Sequence, residues 1–241
     1  MLKQLLQFSD QIPLFYPYLK DKGYSPQLLY RYVQSGWLEK LAKGVYKRKG
    51  RGLDPFLIVK AMQEQLKWPV FIGAQSVMAL QNKAHYVKFK NTYQLFLSSP
   101  IRLNDWFKSL SEFHFIKEKI FKHPLNGLTT WGDGVKVSTL ERAFIEMAFL
   151  VPSKASYEEL INNLELTPNL RAGLLQSLLE DCSSFKAKRL FLHAAQKAGH
   201  KWFNHLNVAR ISLGKGARQI TKGGIYDKKY KVSVPKIKTD V

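Results

Sequence analysis

The chain of 241 residues has a single cysteine, Cys182, so it has no intramolecular disulfide available. A lone thiol fits a reducing compartment. No stretch reaches the ~18 uninterrupted apolar residues that a membrane-spanning helix requires. Met1 to Asp10 carries one Lys and no long apolar run, unlike a signal peptide. A cytoplasmic protein with no membrane partner is the expectation. Acidic residues are also scarce. There are 18 Asp and Glu against 38 Lys and Arg, a formal net charge of +20. That excess favours a polyanion as partner, with nucleic acid ahead of an anionic membrane surface.

Catalytic patterns are missing as well. The chain has no D-x-D or E-x-E pair of the kind that holds Mg²⁺, and no G-x-S-x-G nucleophile elbow. Gly-Lys-Gly at 214–216 is not a P-loop, because G-x-x-x-x-G-K-[ST] is absent. The six histidines are scattered. His200 and His205 lie five apart with no cysteine or acidic cluster near them, so neither a zinc site nor another metal or cofactor is expected. Cys182 follows Glu180-Asp181, whose charges disfavour a thiolate. Glu158-Glu159 and Glu180-Asp181 read as solvated helix faces.

What is present begins with a core. Hydrophobic residues make up 45% of the chain and aromatics 13%, enough for a globular fold and too many for a disordered basic tail. The positive charge sits at the two ends. Residues 1–66 hold eleven Lys and Arg against five Asp and Glu, and residues 185–241 hold fourteen against two, whereas 67–184 is nearly neutral. More than one surface is therefore placed to face nucleic acid.

Between Gly23 and Gly50 the chain reads GYSPQLLYRYVQSGWLEKLAKGVYKRKG, the grammar of a winged helix-turn-helix. Leu2, Leu5, Leu6 and Phe8 suggest a first short helix, and Pro13 opens a second that Gly23 ends. Ser25 caps the next helix, and Pro26 suits its first position. Leu29, Tyr32 and Val33 share an inward face at i, i+3, i+4 spacing. Gly36 stops the helix. Residues 37–41 and 45–47 form a hairpin turning at Lys43-Gly44. Asp54-Pro55 begins a further helix to Leu66, and Trp68-Pro69 marks a boundary. The expected division is a winged helix-turn-helix over 1–66 and a larger mixed α/β domain over 67–241, an α+β chain overall.

In the larger domain, 70–72 and 93–97 read as strands, with a helix over 74–80. Residues 113–121 are expected to pair with 128–131 or 135–137. Ser138-x-x-Glu141 and Ser156-x-x-Glu159 read as capping boxes. Thr167-Pro168 opens another helix and Ser184 the last, ending near Gly199. After Asn207 the chain returns to strands. Tyr230, Val232 and Val234 alternate with Lys231 and Ser233, as in a half-buried strand.

In a helix-turn-helix the second helix enters the major groove and its exposed side chains meet base edges. Gln27 and Gln34 suit adenine, Arg31 suits guanine, and Tyr30 reaches a phosphate or a thymine methyl. Lys43, Lys47, Arg48 and Lys49 on the wing are expected to neutralise phosphates, with Ser25 and Tyr46 completing the contact set. Lys215, Arg218 and Lys222 form a possible second basic surface in a glycine-rich β-hairpin.

Three segments, in order, resemble the AbiEi family of antitoxins from bacterial type IV toxin–antitoxin systems, which serve in abortive infection. The first ends in Leu38-Glu39-Lys40-Leu41-Ala42-Lys43-Gly44-Val45-Tyr46. The second runs from Val135 through Ser138-Thr139-Leu140-Glu141-Arg142 to Phe144. The third is Gly214-Lys215-Gly216-x-Arg218 through Lys222-Gly223-Gly224 to Val234-Pro235. The chain departs from many relatives at Tyr30 to Ser35, where they place two or three arginines and this chain has one.

The resemblance implies a DNA-binding autorepressor. Its winged helix binds inverted repeats in the operon's own promoter. The larger domain counters a nucleotidyltransferase-like toxin, with which it need not form a stable complex. Two other functions fit the residues. One is a stand-alone winged-helix regulator whose large domain senses a ligand or dimerises. The other is a nucleic-acid-processing enzyme drawing on Glu141 or Asp133.

Overall fold

A computed structural model describes residues 1–81, 92–117, 119–220 and 223–235. The chain packs as two compact units. One is Met1–Phe71 with 99–112 and 130–136, and the other is 72–98, 113–129 and 137–241. The elements of the first half are α1 (Leu2–Leu5), β1 (Leu14–Phe15), α2 (Tyr16–Asp21), α3 (Pro26–Gln34), β2 (Leu38–Ala42), β3 (Val45–Arg48), α4 (Pro55–Glu64), β4 (Val70–Ile72), α5 (Gln75–Leu80), β5 (Tyr93–Leu97), α6 (Asp105–Ser109) and β6 (Phe113–Ile116). Then follow β7 (Leu128–Trp131), β8 (Val135–Ser138), α7 (Leu140–Leu150), α8 (Tyr157–Glu165), α9 (Ala172–Asp181), α10 (Phe185–Ala198), β9 (Arg218–Gln219), β10 (Ile225–Asp227) and β11 (Val232–Val234), with short 3-10 turns at Lys201–His205 and Val208–Arg210.

The first unit has the winged-helix arrangement expected from the sequence. α2 and α3 stand beside a three-stranded sheet of order β1-β3-β2. Leu5, Leu14, Leu19, Tyr24, Leu29 and Leu38 form its buried core, with Tyr32, Val33 and Tyr46 packed on it. The six buried residues each come from a different element or turn, so the core is what holds α3 against the sheet. Pro13 does not open a helix. Leu14 and Phe15 instead pair antiparallel with Tyr46 and Val45, and the helix starts at Tyr16, with Pro17 near its first position. The pairing with β3 overrides the local proline signal.

A five-stranded sheet runs β6-β5-β4-β8-β7. Residues 113–116 were expected beside 128–131 or 135–137, but they pair parallel with β5, Tyr93↔Phe113 through Phe96↔Ile116. Parallel pairing needs a long crossover, so no local turn betrays it. α7 is buried on nearly all sides and packs against α5, α8, α9 and α10.

Two helix starts also differ from expectation. The cap of α7 is Thr139, whose Oγ1 accepts from the Arg142 N–H at 3.4 Å. Ser138 donates to Glu146 instead, and Glu141 binds Arg171, so the Ser138-x-x-Glu141 box does not form. The Ser156–Glu159 box does form. Thr167 closes α8 by donating to the Asn163 carbonyl at 2.8 Å, and α9 starts only at Ala172.

The Glu180-Asp181 pair is not a solvated face. Asp181 is buried and accepts from the backbone N–H of His123, with the His123 ring at 2.6 Å. Cys182 is buried, and that burial more than its acidic neighbour pushes the thiol up to about 11. Among the described residues no helix is long and apolar enough to cross a membrane, and no three His, Cys, Asp or Glu side chains group to hold a metal.

Candidate DNA-binding surface

The surface starts at the cap of α3. The Leu28 N–H donates to Ser25 Oγ at 3.2 Å, and Pro26 follows at the first helical position. An N-cap of this kind contributes about 1 kcal/mol. Ser25 therefore acts first as the cap, with its hydroxyl oxygen engaged. At the other end Gly36 adopts φ +74°. Its N–H donates to Val33 O and the Trp37 N–H to Tyr32 O, closing the helix after nine residues.

Between these stops the helix has two faces. With about 100° of rotation per residue, Gln27, Tyr30, Arg31 and Gln34 fall within an arc of about 100°. All four are exposed, Tyr30 at 65%. Leu28, Leu29, Tyr32 and Val33 occupy the other side and contact the core. The four expected base-reading residues are thus brought together on one outward stripe. Among the described residues Arg31 has no acidic partner.

The wing is a β2–β3 hairpin with Leu38↔Arg48, Glu39↔Lys47 and Lys40↔Tyr46 opposed, and a register shift between Lys40 and Ala42. Gly44 turns it at φ +75°. The Tyr16 N–H donates to Gly44 O at 2.8 Å, which fastens the tip to α2. Lys43 at the tip and Lys49 beyond β3 are exposed, and Tyr46 is half-buried.

Lys47 and Arg48 depart from their expected role as phosphate ligands. The Lys47 side chain is only 8% exposed, and its ammonium reaches Glu39 Oε2 at 3.1 Å, Arg51 O at 3.0 Å and Arg48 O at 3.3 Å. An ammonium has three donors, and all three are engaged inside the wing. Arg48 Nη1 donates to Leu6 O at 2.8 Å and Phe8 O at 2.7 Å, which ties the wing to the end of α1.

Arg51 is also held. Its backbone N–H and its guanidinium both donate to Asp10, and these bonds keep the Asp10 carboxyl below the usual range. Strand alternation marks Lys47 as inward, since it falls two residues from buried Val45. A further cation of the wing, Lys40 on β2, is exposed although it falls two residues from buried Leu38.

In the second unit Lys215 and Arg218 are exposed, and Lys222 lies outside the described residues. The loop they flank is built around an arginine not anticipated from sequence. Arg189 of α10 is fully buried. It donates through Nε to Leu213 O (2.8 Å), through Nη1 to Gly216 O (2.7 Å) and Lys231 O (2.8 Å), and through Nη2 to Gly214 O (3.0 Å). The segment is more than a hairpin. β10 and β11 pair antiparallel, and β9 adds in parallel to β11.

A cleft of about 500 Å³ opens at the start of α7. It is lined by Gln81, Thr129, Asn169 and the Glu141–Arg171 pair, among others. Arg171 donates to Glu141 through its backbone, Nε and Nη2 at 2.9–3.0 Å. Burial pushes the Glu141 carboxyl up, but these bonds outweigh it and hold the group below its ordinary value. With both oxygens bound to Arg171, Glu141 does not face the cleft as a free acid. Of the two acids on which the enzyme reading drew, Glu141 is thus engaged and Asp133 is exposed.

A winged helix-turn-helix head whose second helix presents a free polar stripe, on a chain with a larger mixed α/β unit, defines a winged-helix regulator fold. Residues 2–89 match the family described as "Transcriptional regulator, AbiEi antitoxin N-terminal domain". Residues 90–235 match "Transcriptional regulator, AbiEi antitoxin, Type IV TA system". The chain belongs to the AbiEi antitoxin transcriptional regulators of type IV toxin–antitoxin systems. No curated protein matches it. Among solved structures it is similar to the crystal structure of the RV2827C protein from Mycobacterium tuberculosis. The TM-score is 0.67 at 15% identity, covering 96% of this chain and 88% of that one. At that identity the likeness concerns the fold alone.

Proposed function

We propose that this regulator represses its own operon by placing α3 in the major groove of inverted repeats in the promoter. Residues 1–66 act as the DNA-binding domain. Residues 67–241 counter a nucleotidyltransferase-like toxin in the cytoplasm, without catalysis of their own and without needing a stable complex with it. The observation that carries the reading is the stripe of Gln27, Tyr30, Arg31 and Gln34. Among the described residues its side chains have no internal partners, and it sits on a helix fixed at both ends. Amide and guanidinium groups so placed match adenine and guanine edges. Lys43 and Lys49, with Tyr46 beside them, supply contacts to phosphate that are insensitive to sequence.

The wing separates this reading from generic basic attraction. Lys43→Ala is expected to weaken binding to every duplex and to lower the slope of log K against log salt by about one. Lys47→Ala is expected to leave that slope unchanged and to lower the thermal midpoint, because it deprives two carbonyls and Glu39 of their donor. Mobility shifts at several salt concentrations, beside thermal melts, test both. Equal slope changes in the two variants would place Lys47 on phosphate and contradict the assignment. Co-expression with the neighbouring gene tests the antitoxin half: rescue from toxicity is the expected result.

A further inference from the structure

We propose that the C-terminal three-stranded sheet is a second nucleic-acid surface, shaped for a single strand rather than a duplex. It goes beyond the reading of α3 as an operator reader and does not depend on it.

The sheet has β11 at its centre, with β10 and β9 on either side. Its register settles the faces. Val232 and Val234 are buried, so the intervening row points outward. That row is Tyr226 on β10, Ser233 on β11 and Gln219 on β9. It crosses two strand spacings, about 10 Å. Tyr226 is 47% exposed. An aromatic ring therefore stands in line with a hydroxyl and an amide on one open face.

The sheet and its loops carry exposed cations. Lys215, Arg218, Lys228 and Lys231 are all exposed, Arg218 on the edge strand opposite Val232 rather than in the row, and none has an acidic partner among the described residues. The one acidic residue between 185 and 235 is Asp227. Its Oδ1 accepts from the Tyr230 N–H at 2.7 Å, and this single carboxylate stands against four exposed cations.

The loop beneath is built. Arg189 binds four backbone carbonyls there and no carboxylate. Burial lowers the Arg189 pKa, and the nearby charge of Arg218 lowers it further. Arg189 is buried with its donors engaged, so it adds positive charge beneath the loop and leaves contact with an anion to the exposed cations. Gly214, at φ +70°, lies so close to Phe185 that a Cβ would come within 2.7 Å of the ring. The loop path is therefore fixed rather than free.

The ring decides between anions. Duplex DNA hides its base faces in the stack and offers a groove or phosphates, so an exposed tyrosine gains little from it. An acidic peptide would use the cations and leave the ring idle. Unpaired bases stack on an aromatic side chain while lysine and arginine follow the backbone. Ser233 and Gln219 then stand where a splayed base presents its edge.

The test uses the full-length protein with Arg31→Ala and Lys43→Ala, so that failure of the α3 reading leaves it untouched. Anisotropy is read with fluorescein-labelled 20-mers of oligouridine and oligodeoxythymidine and with a random 20-base-pair duplex. Both single strands, or one of them, should bind more tightly than the duplex, and preference between the two identifies the sugar. Tyr226→Ala should weaken single-strand binding about tenfold, and Tyr226→Phe should restore it. Arg218→Gln and Lys228→Gln should each lower the salt slope by about 0.7. Equal binding to the duplex with no response to Tyr226→Ala would overturn the proposal, as would failure of both single strands to bind.

Discussion

Arg142→Ala is expected to destabilise the protein by about 3–5 kcal/mol, the cost of leaving one partner of a buried ion pair behind. Glu146 is fully buried. Its carboxylate accepts from Arg142 Nε at 2.7 Å, from Ser138 Oγ at 2.9–3.0 Å and from the Ala74 N–H at 3.0 Å. Arg142 also donates through Nη1 to Pro124 O and Asn126 O at 2.7 and 2.6 Å, and its guanidinium lies 4.5 Å from the centre of the Phe121 ring. One pair thus joins β8, α7, the turn after β4 and the loop before β7.

The same pair has a pH signature. Burial pushes the Glu146 carboxyl up, and Arg142, Ser138 and Ala74 act against that push. Removing Arg142 raises the folded-state pKa further above the unfolded value. The variant should then be least destabilised at acid pH, where Glu146 is protonated in both states. It should lose stability progressively as pH rises through the folded-state pKa. Urea melts at pH 5 and pH 8 check this. A destabilisation equal at both would mean that the carboxylate had found another counter-charge.

The second large effect is on DNA. Arg31→Ala should weaken binding to the operator by about 1–3 kcal/mol while changing binding to unrelated duplexes little. α3 of this chain has one arginine, so no second guanidinium on the helix replaces it. Gln27 and Gln34 lie on the same stripe, and each should show a smaller loss confined to the bases it meets. Titrations of the variants against operator and scrambled duplex distinguish this from a general loss of charge, in which both duplexes would weaken together.

How far the sequence revealed these features depends on how local their causes are. The cap at Ser25, the stop at Gly36, the turn at Gly44 and the box at Ser156 each depend on residues within a turn of one another, and each was legible. The engagement of Lys47 was less legible, because composition counts a lysine as a surface charge, whereas its place two residues after Val45 turns it inward. The failure of the Ser138 box is a competition: Glu146, one helix length away, takes the serine hydroxyl, and Thr139 becomes the cap.

Arg189 and the Arg142–Glu146 pair were not legible at all. Arg189 reads as one of many basic residues on an amphipathic helix, and its partners are carbonyls about 24–42 positions later in the chain. Backbone carbonyls carry no sequence signature. The parallel pairing of β5 with β6 was hidden for a related reason, since nothing in either strand announces its neighbour.

The central claim is that α3 reads the operon's own promoter. A mobility-shift titration of the full-length protein tests it most directly, comparing the upstream region of its own operon with a scrambled duplex of equal length at one fixed salt concentration. The account predicts at least a thousandfold preference for the promoter, much of it lost in the double variant Arg31→Ala, Gln34→Ala. Equal affinity for the two duplexes, or a promoter preference that survives the double variant, would contradict it.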